Sequence, residues 1–109
     1  NFYSYGFTLR DLAENEAAGK ASAKIDTLYA DLQKQTALYE AAETSRRKAE
    51  LTRNSAERQN ALGLLGRGEY EGLQMQYISY EAAAKLAALS LTQAIETYQW
   101  AIRGIMSLE

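Results

Sequence analysis

The stretch NALGLLGRGEYEGL, residues Asn60–Leu73, carries four of the chain's seven glycines, in a sequence of 109 residues with no proline. Gly63 stands where a helix stops on a left-handed residue, a conformation glycine takes without steric cost. Gly66 and Gly68 permit a tight reversal. Glu69 and Glu71 then fall in the first turn of a second helix, where carboxylates favour the positive end of the helix dipole. The stretch therefore predicts an all-α fold, two helices running back on each other as a long antiparallel hairpin, coiled-coil-like and suited to packing in a larger bundle or barrel.

The flanks carry the matching periodicity. Upstream, Ala18, Ala21, Ile25, Leu28, Leu32, Gln35, Tyr39, Ala42, Arg46, Ala49, Arg53, Ala56 and Asn60 advance in steps of three and four, the spacing of a coiled-coil seam. Beyond Ala42 this seam holds only alanines, arginines and an asparagine, so that half packs through small residues and polar contacts. Downstream, Leu73, Tyr77, Tyr80, Ala84, Ala87, Leu91, Ala94, Tyr98, Ala101, Ile105 and Leu108 keep the same alternation. Residues 1–7, aromatic and containing Gly6, read as an irregular lead-in. Thr8 with Asp11 reads as a variant capping box opening the first helix. The expected organisation is lead-in 1–7, helix 8–62, tip 63–68 and helix 69–108, with arms about 60 Å long at 1.5 Å per residue.

Between Glu71 and Ile102 the only charged side chains are Glu71, Glu81, Lys85 and Glu96, few for a helix with water on three sides. A second stripe, Ala88, Leu91, Ile95, Tyr98, Ile102 and Ile105, widens the apolar surface. One companion helix covers one stripe, so self-association is expected, through Leu73, Tyr77, Tyr80, Leu91, Ile95, Tyr98, Ile102 and Ile105. Leu64 and Leu65, at the far end of a hairpin with little core to enter, are expected to meet a partner.

The composition narrows function by what it lacks. With no cysteine or histidine the chain has no thiolate nucleophile or ligand and no imidazole base, so neither an enzyme nor a cofactor or metal site is expected. Carboxylate pairs such as Glu40 with Glu43 lack the histidine of bundle di-iron sites. The glycine cluster has neither the lysine nor the preceding strand of a phosphate loop. A net charge of −2 gives no electrostatic footprint for nucleic acid. The run Arg46-Arg47-Lys48 is interleaved with Glu40, Glu43, Glu50 and Glu57 and reads as a solvated, ion-paired face. No apolar run is long enough to span a membrane. Beginning without Met, the chain is read as a segment of something larger.

The phrase Asn60–Leu73, with the flanks AETSRRKAELTRNSAERQNALG and LAALSLTQAIETYQWAIRG, resembles the periplasmic hairpin of TolC-type outer-membrane efflux channels over most of residues 20 to 104. That resemblance implies a trimeric parent channel whose helical hairpins form a passive periplasmic conduit. Its tips would dock to a periplasmic adaptor. It places tip contacts at Gly63, Leu64, Leu65, Gly66, Arg67 and Gly68, and gating ties at Asn60, Arg67, Glu69 and Tyr70. Gly66 and Gly68 depart from the polar or β-branched residues commoner there. The alternatives are the hairpin of the adaptor itself and a free-standing helical scaffold, for which the sparsely charged second helix would face lipid or its own dimer.

Overall fold

A computed structural model of the chain describes the backbone of residues 2–106, and side-chain surroundings at Glu16 and from Ala18 to Ile105. It contains two helices among those residues, α1 (Phe2–Ala61) and α2 (Arg67–Met106), and no strand. The all-α hairpin expected from the glycine cluster is the observed fold. Leu108, read as the last seam position, and residues 107–109 lie outside the described residues, as do the side chains of Thr8 and Asp11.

The boundaries shift at three places. Residues 2–7 belong to α1 rather than to an irregular lead-in, because aromatic residues tolerate a helix and a single Gly6 costs only about 1 kcal/mol. The first helix closes at Ala61, one residue before the expected end. Arg67 and Gly68, expected in the turn, form the opening of α2, so the reversal is shorter than the glycine spacing suggested. Four of the threonines inside these helices sit there at little cost. Thr27, Thr44, Thr52 and Thr92 each donate their hydroxyl to the carbonyl four residues back, at 2.9–3.1 Å.

The reversal is a Schellman motif. Gly63 has a φ of 70°, the only positive value among the described glycines. Its N–H donates to the Asn60 carbonyl at 3.0 Å, and the Leu64 N–H donates to the Gln59 carbonyl at 2.8 Å, capping carbonyls the ending helix leaves open. The Gly66 carbonyl accepts from the Tyr70 N–H at 3.0 Å, so Gly66 is the N-cap of α2, with Glu69 in its first turn. The structure divides into two compact units. One comprises residues 33–93 with the turn, and the other residues 1–32 with 94–109.

Within the 33–93 unit the core is thin and built from small residues, with Ala56, Tyr77 and Ala84 buried and Tyr39, Ala42, Ala49 and Leu73 half-buried. In the other unit Ala94 is buried, and the rings of Tyr29 and Tyr98 meet at 5.9 Å and 48°. All of these but Tyr29, which neighbours Leu28, are three-four positions of the sequence.

Gly63→Ala forces a Cβ into the left-handed region and is expected to lower stability by about 1–2 kcal/mol. Gly72→Ala, inside α2 with open space around the added Cβ, is expected to raise it by about 0.5–1 kcal/mol. Urea unfolding followed by circular dichroism reads both, and equal signs for the pair would contradict the assignment of the turn.

Candidate interaction surfaces

The polar half of the seam in the 33–93 unit is organised around Tyr77. Arg53, a seam residue of α1, lays its guanidinium over the Tyr77 ring, 4.1 Å from the centroid. Arg46 lies two turns earlier on the same face. Its Nη2 donates to Glu43 Oε1 at 2.7 Å, its Nε donates to both Glu43 oxygens, and its Nη1 donates to Glu50 Oε2 at 2.9 Å. Arg47 adds a longer ion pair to Glu43, so Arg46 and Arg47 are ion-paired, as the interleaving with glutamates implied, but Arg46 is half-buried in the seam rather than on a solvated face.

The charges respond accordingly. Hydrogen bonding from Arg46 holds the Glu43 carboxyl below its ordinary range, and the Glu43 bond in turn raises Arg46 above its own. Glu81 of α2 is held low by the Tyr77 hydroxyl, then by Lys85, whose Nζ stands 3.3 Å away. Arg46 contributes to that lowering from across the hairpin. The seam therefore has an arginine-tyrosine lock flanked by glutamates, where a coiled coil would carry leucine.

The tip residues gather at one end of the 33–93 unit, and their partners are local. Leu64 is 73% exposed and Leu65 half-buried. Gly63 and Gly66 are committed to the caps. Of the residues read as gating ties, Arg67 pairs with Glu71 at 3.1 Å, Tyr70 accepts a hydrogen bond from Gln74 Nε2 at 2.7 Å, and Asn60 lends its carbonyl to Gly63. Glu69 is exposed in the first turn of α2, and Gly68 follows Arg67 there. Tyr70 thus braces the start of α2.

Most of the residues expected to bind another copy lie in the seam with α1. Tyr77 is buried, and Leu73, Leu91, Tyr98, Ile102 and Ile105 are half-buried; Tyr80 and Ile95, at 39% and 38% exposure, stand at its edge. A three-four seam is consumed by the first antiparallel helix it meets, here α1. What sequence spacing missed is the opposite side of α2. Met75, Ile78, Leu86 and Leu89 recur on one stripe turned away from Tyr77 and Ala84, and are 55–66% exposed. In the other unit Trp100 is also exposed, with Arg103 5.5 Å from its ring.

Among the described residues no group of three potential metal ligands occurs, and no helix is long and apolar enough to cross a membrane. No protein-family profile, curated protein or solved structure matches the chain.

Because Glu43 and Glu81 have folded-state values below their unfolded ones, their contribution to stability is present above the unfolded carboxylate range, near pH 4.5, and is lost as pH falls through the lower folded values. Arg46, raised from an already high value, titrates outside the accessible range. Thermal unfolding is expected to show falling stability below about pH 4.5, with a flatter acid limb in the Glu43→Gln, Glu81→Gln double variant. Identical acid limbs would contradict these carboxylate interactions.

Proposed function

We propose that the chain is a structural, non-enzymatic hairpin of a TolC-type outer-membrane efflux or secretion channel. It would stand in the periplasm as one stave of a passive helical conduit and offer its tip, Gly63 to Gly68, to a periplasmic adaptor. The observation that carries this reading is the asymmetry of α2. A capped reversal gives α2 one companion, α1, yet its far side remains apolar at Met75, Ile78, Leu86 and Leu89. Such a helix is suited to a second neighbour. The exposed Leu64 adds an apolar contact at the tip for a docking partner. The sequence resemblance supplies the channel identity, and the absence of cysteine and histidine leaves little chemistry to compete with it.

The sparse charge of α2 favours the channel over the adaptor, whose hairpin arms carry more. In the channel reading, opening is a change in helix packing, and no bond is made or broken by this protein.

Deleting the coding segment from the parent gene is expected to raise the host's susceptibility to hydrophobic toxic compounds several-fold. Wild-type protein should restore export, whereas a Gly63→Val variant present at equal level in the outer-membrane fraction should not. Unchanged susceptibility on deletion, or recovery of the protein in the cytoplasm, would overturn the reading.

A further inference from the structure

The two flanks of the seam in the 33–93 unit carry different chemistry. Projected around the helices at about 100° per residue, Glu43, Arg46, Glu81 and Lys85 fall on one flank. There they line a hollow in which each cation has its acid, Arg46 with Glu43 and Lys85 with Glu81. That flank neutralises itself.

The opposite flank holds a hollow of about 210 Å3 between Ser45, Lys48, Ala49 and Thr52 of α1 and Leu73, Gln76 and Tyr80 of α2. No acidic side chain lines it. Among the described residues none pairs with the Lys48 ammonium, the Gln76 amide or the Ser45 and Tyr80 hydroxyls. Ala49 and Leu73, half-buried in the seam, give it an apolar side. A second hollow of about 320 Å3 continues towards the tip, sharing Thr52 and Leu73 and adding Leu51 and Ala56.

These groups define a ligand. A cation without an acid repels other cations and favours an anion. A lone ammonium is a point charge, suited to a single negative charge, whereas a doubly charged phosphate is held best by several cations or an arginine fork. The hydroxyls and the amide add donors for a second oxygen. A bare inorganic ion would leave the apolar side wet, while an aromatic ring covers it and packs against the Tyr80 ring. The volume lies below the roughly 300–1,000 Å3 of sites for drug-sized ligands, which limits the occupant to one small ring system.

We propose that this flank of the hairpin is a binding site for a small aryl carboxylate, its carboxylate on Lys48 and its ring against Ala49, Leu73 and Tyr80, with Ser45 and Gln76 as further donors. The site belongs to the 33–93 unit itself and stands independently of the conduit reading. One exposed ion pair and one ring give a dissociation constant on the order of a millimolar.

The probe is 1-naphthoate, titrated into the whole chain labelled with nitrogen-15 and followed by amide chemical shifts. Saturating shifts are expected at the amides of residues 45–52 and 73–80. Lys48 is exposed, so Lys48→Gln should keep the helicity seen by circular dichroism and weaken binding about three-fold. With the wild-type chain, naphthalene-1-carboxamide, which has the shape without the charge, should bind about three-fold more weakly. Acetate, which has the charge without the ring, should not saturate. Equal binding of the carboxamide, or of naphthoate by Lys48→Gln, would overturn the site. So would saturation by acetate in the same range, absence of saturation by naphthoate, or a response confined to Met75, Ile78, Leu86 and Leu89.

Discussion

Everything in this hairpin depends on one backbone conformation, the left-handed Gly63. It lets the Gly63 and Leu64 amides cap α1, and it turns the chain within four residues so that Gly66 can open α2. The shortness of that turn fixes the level at which the helices face each other. That level sets Arg53 on Tyr77 and brings Arg46 to bear on Glu81. A longer or looser turn would let the helices slide by a residue or more, and the alternating seam would lose its partners.

The seam joins two kinds of packing. Alanines at Ala42, Ala49, Ala56 and Ala84 allow close approach but bury little area, so they contribute limited hydrophobic stabilisation. The arginine-tyrosine lock adds direction to that weak contact. A contact between a guanidinium and an aromatic ring of the other helix is formed only in one register. Specific alignment with modest stability suits a helix pair that gains further support from neighbours, which is also what the apolar far side of α2 calls for.

The sequence made the glycine turn, the antiparallel pairing and nearly every seam position legible, because each follows from local spacing or from glycine's backbone freedom. Helix starts were less visible. An aromatic segment with one glycine, Phe2–Phe7, carries no proline to forbid the helix, and the polar Arg67 gives no sign that it opens α2 rather than ending the turn. The contact of Arg53 with Tyr77 was hidden, since both positions could be assigned to the seam but their mutual level depends on turn length. The apolar far side of α2 was overlooked for a related reason. The stripe Ala88, Leu91, Ile95, Tyr98, Ile102 and Ile105 overlaps the seam, while Met75, Ile78, Leu86 and Leu89 lie on the opposite side, a relation that appears when positions are projected around the helix at about 100° per residue.

The most direct test of the account is a distance across the reversal. Leu38 and Leu89 are both exposed, one on each arm of the 33–93 unit. Spin labels at these positions, in chains diluted with unlabelled protein, are expected to lie within roughly 25 Å, given helix axes about 10 Å apart and the length of the labels. A separation near 75 Å, the span of one unbroken helix between those residues at 1.5 Å per residue, would contradict the reversal at Gly63 and with it the alignment on which the rest is built.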